Sequence, residues 1–484
     1  MIRPLLYRLA WLGVFVAAAT VAPVLAQAEA SLDDTIVALM QKRRIPGLSL
    51  AIVQDGKIVK ARGYGVIENG SVIPVTEDTL FQAASISKPV AALGALRLVD
   101  AGRLSLDADV NTVLHAWRVP ENEFTTTEKV TLRRLLSHTA GLTVHGFPGY
   151  PPDAARPTLV QLLNGEPPTN TAPIRVNVVP GSIHRYSGGG YSVMQQLVLE
   201  VSGQTYPAFM RESVLEPLGM HASTFEQPLP PLLADRTATG HRPGASPVPG
   251  RWHVYPEIAA AGLWTTPSDL ARFIIGLQAA LAGRPDAVLS PATAALMVTP
   301  VQRGYGLGLA VAGDGATQRF SHGGRNEGFD TQLVAYRDTG QGAVVMINAN
   351  DDLQFMNRVL SAIVREYHWP DFDPAPAPRA IEDKEPEVTT RVRAIFEQAQ
   401  QGKFEPEWFG PELAVILARE IPKPERVQEM QGFGAFQSIT LIGRETRGTA
   451  QHYRYHLVFA REALIVNCTY TPDGKIVGLN FQVD

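Results

Sequence analysis

The segment Ser85-Ile86-Ser87-Lys88 places a hydroxyl group and an amine three residues apart at the start of an apolar run. Three residues along a helix return the chain to nearly the same face, so we expect the Lys88 amine beside the Ser85 hydroxyl. An amine that is partly removed from water loses proton affinity, and a neutral Lys88 can accept or relay the Ser85 proton. The pattern is therefore typical of a serine nucleophile activated by a lysine; an ordinary helix cap is the alternative.

The residues that follow favour a position at a helix start. Residues 85–100 are mostly apolar and Gly102 suits a left-handed C-cap, so we expect a buried helix there. Pro89 is tolerated only in the first turn, where the N–H that proline lacks would have no partner. The free N–H groups of that turn favour negative charge near Ser85. Local rules thus predict a reactive hydroxyl at the N-terminus of a buried helix.

Other kinds of catalytic and binding site have no matching pattern in the sequence. It contains no Gly-x-Ser-x-Gly, the nucleophile motif of α/β-hydrolases, and no His-Glu-x-x-His of zinc proteases. The single cysteine, Cys468, excludes an internal disulfide framework and a Cys-rich metal site. The 43 Lys and Arg residues against 47 Asp and Glu residues give a net charge of −4, without the basic surplus of nucleic-acid-binding proteins. We therefore expect no metal, no cofactor and no nucleic acid partner.

Two groups of strand patterns lie on either side of a long helical region. Apolar and polar residues alternate around Asp55-Gly56, a turn pair that tolerates positive φ, which predicts a β-hairpin over 48–54 and 57–66. Because strands from both ends must pair, we expect an α/β (α+β) fold in which helices flank an antiparallel sheet that carries an all-helical insert. The predicted helices are 85–100, 132–137, 191–202, 268–281 and 353–367, and the later strands are 306–312, 317–321, 331–337 and 343–348.

The first 26 residues have the pattern of a secretory signal. Arg3 and Arg8 precede an apolar stretch over 9–22, and small residues up to Ala26 suit a signal peptidase. A membrane anchor is the alternative, but the stretch is shorter than the ~20 residues that span a bilayer. We expect cleavage after Ala26 and a periplasmic or secreted protein without a stable membrane anchor.

The C-terminal part of the sequence predicts a separate unit. Four prolines between Pro370 and Pro378 indicate a stiff linker over 370–385. Apolar residues at helical spacing then precede strand patterns at 437–444, 452–459, 464–470 and 475–482, which predicts a helix on an antiparallel meander. This module, 386–484, loosely resembles NTF2-like or cystatin-like domains, and a binding, lid or dimerisation role is a hypothesis. The predicted parts of the chain are 1–26, 27–369, 370–385 and 386–484, and the sequence predicts no oligomeric state.

The region from Ile45 to Tyr367 resembles the serine β-lactamase and penicillin-binding-protein superfamily. The resemblance favours its class C-like branch, which also holds family VIII esterases and D-aminopeptidases. It is carried by five segments in order, Ile45-Pro-Gly-Leu-Ser-Leu-Ala-Ile-Val, Thr79-Leu-Phe-Gln-Ala-Ala-Ser-Ile-Ser-Lys, Leu135-Leu-Ser-His-Thr-Ala-Gly-Leu, Pro180-Gly-Ser-Ile-His-Arg-Tyr-Ser-Gly-Gly-Gly-Tyr and Phe320-Ser-His-Gly-Gly-Arg-Asn-Glu-Gly-Phe.

The resemblance implies roles for three residues. Ser85 is then the acylated nucleophile, Lys88 its proton partner, and Tyr186 the tyrosine of the family's Tyr-x-Asn element. That tyrosine passes protons between the serine, the leaving group and the deacylating water. Because a tyrosine has an ordinary pKa of ~10, we expect a nearby cation, Lys88, to lower the pKa of Tyr186.

Two departures from the family pattern bear on the substrate. Gly188 replaces the asparagine of the Tyr-x-Asn element, so an amide that usually helps bind the substrate's amide carbonyl is missing. His322-Gly323-Gly324 replaces Lys-Thr-Gly, and a histidine with a pKa near ~6.5 is mostly neutral at pH 7. The fixed cation that binds a substrate carboxylate is then missing, unless the Arg325 side chain points into the site. By analogy, Gly324 keeps the strand edge open, and the N–H groups of Ser85 and Arg325 form the oxyanion hole.

For other residues near these motifs, we mostly expect structural roles. We expect His138 in a structural turn and Asn326 and Glu327 in a solvated loop. Trp264 either lines the pocket or caps the helix near residue 268. The aromatic residues of the strand 452–459 are expected in the core of the C-terminal module.

The sequence therefore predicts an exported serine hydrolase that forms an acyl-enzyme on Ser85. Gly188 and His322 favour a small-molecule ester as the substrate. Enzymatic alternatives act on amides: a D-aminopeptidase or D-Ala carboxypeptidase on cell-wall peptides, or a β-lactamase. The alternative of another class is a catalytically silent protein that keeps the fold for cell-wall binding.

Overall fold

The computed structural model describes residues 31–351, 354–374 and 378–483. The predicted signal over 1–26, with its cleavage site after Ala26, and part of the predicted linker lie outside these residues. No helix within the described residues is long and apolar enough to cross a bilayer.

Strands and helices follow one another in groups along the described chain. The strands are β1 (Gly47–Gln54), β2 (Lys57–Gly65), β3 (Phe81–Gln82), β4 (His241–Arg242), β5 (Ser246–Pro247), β6 (Trp264–Thr265), β7 (Ala310–Ala312), β8 (Arg319–Asn326), β9 (Phe329–Tyr336), β10 (Gly342–Ile347), β11 (Phe436–Arg447), β12 (Ala450–Phe459), β13 (Ala463–Tyr470) and β14 (Ile476–Val483). The α-helices are α1 (Leu32–Arg43), α2 (Ser87–Asp100), α3 (Leu132–Leu136), α4 (Leu159–Asn164), α5 (Gly188–Ser202), α6 (Tyr206–Met210), α7 (Ile258–Ala261), α8 (Pro267–Leu281), α9 (Pro291–Met297), α10 (Gln354–Glu366), α11 (Pro386–Ala399), α12 (Pro411–Glu420) and α13 (Pro424–Gly432).

A six-stranded antiparallel sheet in the order β2-β1-β10-β9-β8-β7 is formed by strands that lie between Gly47 and Ile347. The predicted hairpin is confirmed, since Asp55 and Gly56 form its turn with φ values of 52° and 69°. β1 pairs with β10, with Leu48 opposite Ile347, so strands that are remote in sequence are neighbours in the sheet. The predicted antiparallel sheet built from distant segments is therefore confirmed.

Both faces of this sheet are covered, because side chains alternate between the faces along each strand. Val344 and Met346 of β10 pack into the core shared with the helical lobe, which includes α2, α5 and α8. Val345 and Ile347 pack into the opposite core, with α1 and α10. Helix α2 is buried almost throughout because nearly all of its residues are apolar or small. The predicted strand 306–312 is shorter than expected and spans only Ala310–Ala312.

The C-terminal region has its own core between helices and a four-stranded antiparallel sheet, in the order β11-β12-β13-β14. Tyr455 and Cys468 lie in this core, and burial raises the pKa of the Cys468 thiol to about 12, so the thiol stays protonated and unreactive. Helices α12 and α13 were not predicted from the pattern. Helix α12 packs against this core only through partly buried residues, among them Leu413 and Leu417.

Candidate active site

Ser85 lies in a 3₁₀ turn, Ala84–Ile86, that leads directly into α2. The preceding residue, Ala84, has φ at 51°, in the left-handed region that a residue with a Cβ rarely adopts. Two hydrogen bonds hold the chain just before this turn: the Ala83 N–H donates to the Leu263 carbonyl (2.8 Å), and the Thr331 hydroxyl donates to the Ala83 carbonyl (2.9 Å). The surrounding chain thus maintains a strained turn that leaves Ser85 half-buried between fully buried neighbours.

Lys88 lies one turn further along and is only 2% exposed. Its Nζ is 2.9 Å from Ser85 Oγ and 2.9 Å from the carbonyl oxygen of Ala260. Burial lowers the pKa of Lys88 to about 7, because the charged form loses its hydration. A large fraction of Lys88 is then neutral at pH 7, with one N–H directed to Ala260 and the lone pair available for the Ser85 proton.

Tyr186 completes the group around Ser85. Lys88 Nζ lies 5.0 Å from the centre of the Tyr186 ring, and the phenol hydroxyl is hydrogen-bonded to Ser85. Burial raises the pKa of Tyr186 above its ordinary value, and the hydrogen bond with Ser85 opposes this only in part. The expected lowering of this pKa by Lys88 is therefore wrong, since Lys88 is itself partly neutral. Tyr186 is a protonated phenol in the resting site, and Lys88 is the group whose pKa suits a base.

Strand β8 presents an unpaired edge to the Ser85 turn. β8 pairs with β9 along its whole length, whereas the pairing with β7 ends where Ala310 lies opposite Ser321. In an antiparallel ladder, alternate residues direct their N–H and C=O groups to opposite neighbours. Residues 321, 323 and 325 therefore direct these groups away from β9, and within the described chain β7 reaches only the first of them. The Arg325 N–H is thus available at this edge.

Gly324 lets this edge approach the nucleophile. A Cβ atom built on Gly324 would lie 3.0 Å from the Ser85 amide nitrogen and would clash with the Ala83 carbonyl oxygen and with Thr331 Oγ1. Only glycine therefore lets β8 lie this close to the Ser85 turn. The arrangement places the Ser85 N–H next to the free edge of β8, as an oxyanion hole requires.

The site contains no fixed cation on β8. His322 is buried, its Nδ1 lies 2.6 Å from the Gly323 carbonyl oxygen, and burial together with the Lys88 charge lowers its pKa to about 3. The Arg325 side chain lies on the opposite face of the strand, 51% exposed, and forms a bidentate pair with Asp330 (2.7 and 2.6 Å). The Arg325 guanidinium therefore does not enter the site.

The space beside Gly188 is occupied by neighbouring residues. Gly188 begins α5, and its N–H donates to the His145 carbonyl (2.9 Å). A Cβ atom at this position would lie 2.9 Å from the Phe147 ring and 3.1 Å from the same carbonyl oxygen. The asparagine amide of the family pattern is thus replaced here by an aromatic ring edge and a backbone carbonyl.

The structure adds two site residues that the sequence interpretation missed. The Ala260 carbonyl orients Lys88, but a backbone atom leaves no signal in the sequence. Asn326 was expected in a solvated loop, which is wrong: it is buried and its Nδ2 donates to Gln82 Oε1 (2.7 Å) and to the Ala261 carbonyl (3.1 Å). Its alternation with His322 and Gly324 along one strand was the available signal.

Two further residues near these motifs pack against or pair with neighbouring side chains. Trp264 is fully buried and packs edge-on against Trp252 and Phe329, so the interpretation as a pocket-lining residue is wrong. Glu327 is partly exposed and pairs with Arg242 (2.6 Å). In the described part of the chain, no group of three or more His, Cys, Asp or Glu side chains is arranged to hold a metal ion.

Comparison with known proteins places this geometry in a family. The chain is 28% identical to penicillin-binding protein 4 of Amycolatopsis lactamdurans over 368 residues, which cover 71% of this chain and 93% of that protein. The octameric penicillin-binding-protein homologue from Pyrococcus abyssi has the same fold, with a TM-score of 0.60, 20% identity and coverage of 94% of this chain and 98% of its own. EstCE1, a hydrolase with promiscuous acyltransferase activity, also shares the fold, with a TM-score of 0.54, 22% identity and coverage of 69% of this chain and 98% of its own. The profile of the Beta-lactamase family matches residues 32–365, well over half of the sequence, and the chain belongs to that family of serine hydrolases.

Proposed function

We propose that this protein is an exported carboxylesterase that works through an acyl-enzyme on Ser85. The observation that carries the proposal is His322, which is buried and neutral at the position where a carboxylate-binding cation is expected. A neutral ester needs no such cation, whereas β-lactams and peptides ending in D-alanine carry a carboxylate. Phe147 beside Gly188 supports the same conclusion, because it offers an apolar contact in place of an amide.

The proposed acylation uses each group at its observed position. Neutral Lys88 takes the Ser85 proton while Oγ bonds to the ester carbonyl carbon, and the Ala260 carbonyl holds the resulting ammonium. The carbonyl oxygen, now negative, accepts hydrogen bonds from the N–H groups of Ser85 and Arg325. Tyr186 donates its proton to the leaving alkoxide as the C–O bond breaks, and it regains a proton from Lys88. A water molecule then reverses the sequence, releasing the carboxylic acid and free Ser85.

A peptidase or transpeptidase acting on D-amino-acid peptides is the second candidate. The similarity to penicillin-binding protein 4, which extends over 93% of that protein, supports it. A silent binding protein is a weaker candidate, because Ser85, Lys88 and Tyr186 are brought together with a strained turn and a depressed lysine pKa, features that cell-wall binding alone would not need. The proposal also includes export by the 1–26 signal, placement in the class C-like branch, the predicted domain limits, and a C-terminal module of the NTF2-like or cystatin-like kind.

Turnover of p-nitrophenyl butyrate and nitrocefin tests the substrate class. We expect kcat/KM for the ester to exceed that for nitrocefin by about 10²-fold or more, because recognition of a carboxylate is worth this much when a charged partner is present. Nitrocefin and its methyl ester should react at similar rates, since no cation distinguishes them. Efficient nitrocefin hydrolysis with a clear preference for the free acid would contradict the proposal.

Gly324→Ala tests the oxyanion edge, with Gly323→Ala as its matched control. The Gly324 methyl would press on the Ser85 amide nitrogen, so we expect kcat to fall by about 10²- to 10³-fold, the effect of losing one oxyanion donor. A Cβ atom at Gly323 would meet only the flexible end of Gln332, at 3.0 Å, and we expect Gly323→Ala to keep most of the activity. Equal losses in the two variants, measured as kcat per folded protein, would argue against this position for the oxyanion.

A further inference from the structure

His138 is hydrogen-bonded to the backbone on both sides of Tyr186. It follows α3 in a turn with φ at 58°, and it is 2% exposed. Its carbonyl oxygen accepts a hydrogen bond from the Arg185 N–H (2.8 Å), and its imidazole Nδ1 accepts one from the Ser187 N–H (3.1 Å). A single residue thus holds the N–H groups of the residues before and after the tyrosine.

The His138 ring also supports the Tyr186 ring directly. The two ring centres are 4.1 Å apart with an interplanar angle of 36°. The other histidine rings beside Tyr186 are more distant, His145 at 4.9 Å and His322 at 6.1 Å. The phenol therefore rests against His138 while its hydroxyl reaches Ser85. A shift of the His138 ring would move the phenol relative to the nucleophile.

The hydrogen bonds determine the protonation state of this imidazole. Because Nδ1 accepts from an N–H group, it carries no proton, and the neutral ring holds its proton on Nε2. Burial, with smaller contributions from Lys88 and from neighbouring histidines, lowers the pKa of His138 well below its ordinary value, in agreement with a neutral ring. Nε2 has no partner among the described residues. His138 therefore contacts the segment around Tyr186 through three groups: its Nδ1 acceptor, its backbone carbonyl and the face of its ring.

We propose that His138 is a positioning residue that holds the Tyr186 hydroxyl in line with Ser85 and the leaving group. The inference rests on the proposed role of Tyr186 in proton transfer. His138 transfers no proton and touches no substrate in this proposal. Two hydrogen bonds to the backbone and one ring contact hold Tyr186 in its orientation. A displacement of about 1 Å at such a group costs about 10²-fold in rate.

A double-mutant cycle with Tyr186→Phe tests the inference. His138→Asn keeps an acceptor at the position of Nδ1 and tolerates positive φ, whereas His138→Gln carries the same amide one bond further away. We expect His138→Gln to lower kcat by about 10²-fold with KM changed by less than about threefold, and His138→Asn, which restores the acceptor but not the ring contact, to recover part of that loss. In the Tyr186→Phe background, the same His138→Gln change should cost less than about threefold, because the group that it misplaces is gone.

Controls separate positioning from folding. Stoichiometric labelling of Ser85 by a fluorophosphonate counts the folded sites, so kcat is expressed per labelled site, and thermal unfolding is measured for each variant. Equal losses from His138→Gln in both backgrounds, or equal kcat values for the Asn and Gln variants, would overturn the positioning role and leave Tyr186 catalysis intact. An unchanged kcat in Tyr186→Phe alone would instead overturn the proposed role of Tyr186.

Discussion

Ser85→Ala is expected to lower kcat for p-nitrophenyl butyrate by about 10⁴- to 10⁶-fold, the range seen when a serine hydrolase loses its nucleophile. The physical reason is that no other hydroxyl occupies the point shared by Lys88 Nζ, the Tyr186 phenol and the free edge of β8 among the described residues. The measurement is steady-state turnover together with intact-protein mass spectrometry after incubation with a fluorophosphonate or a cephalosporin. The wild-type protein should gain one adduct, and the variant none.

Ser87→Ala provides a matched control for this prediction. Ser87 is only two residues away and also lies beside the site, but its hydroxyl accepts a hydrogen bond from the Leu263 N–H (3.0 Å) and is fully buried. Its removal leaves that N–H without a partner and should cost about 1–3 kcal/mol in the free energy of unfolding. Labelling should be retained. Adduct formation that depends on Ser87, or that persists in Ser85→Ala, would refute the assignment of the nucleophile.

Lys88→Met is expected to lower kcat/KM by at least about 10³-fold and to change its pH dependence. Only the neutral amine can take the Ser85 proton, and the pKa of Lys88 is about 7. In the wild-type protein, kcat/KM should therefore rise with pH and level off above pH 7, falling by about tenfold for each pH unit below it. In the variant, the residual activity should not show this fall below pH 7. Rate profiles measured from about pH 5 to pH 9 test both statements.

The stability of Lys88→Met shows whether lost activity reflects lost structure. The pKa of Lys88 is lower in the folded state than in the unfolded chain, so the folded protein binds fewer protons between pH 7 and the ordinary lysine pKa of 10.5. The cost of burying the amine is then fully present below pH 7 and decreases as the pH rises to about 10. We expect the variant to gain stability relative to wild type near pH 6 and to lose this advantage at high pH. A variant that is inactive because it is unfolded would contradict the prediction.

Local spacing along the sequence was enough to predict much of the fold and part of the site. The hairpin at Asp55-Gly56 and the helix after Ser85 depend on turn chemistry and apolar periodicity, which act between near neighbours. The contact between Ser85 and Lys88 is of the same kind, because the helix itself brings residues three apart onto one face. The motif around Tyr186 was visible through resemblance, and the structure places this residue beside Ser85.

Contacts between remote segments were decided only by the tertiary structure. Composition alone does not say on which face of its strand the Arg325 side chain lies; in the structure it pairs with Asp330, away from Ser85. The Ala260 carbonyl reaches Lys88 from 172 residues away, and His138 reaches Ser187 across 49 residues. The pKa values of Lys88 and His322 likewise depend on burial, which sequence spacing does not measure. The sequence by itself determined which groups could react; packing between distant segments determined their charges and their directions.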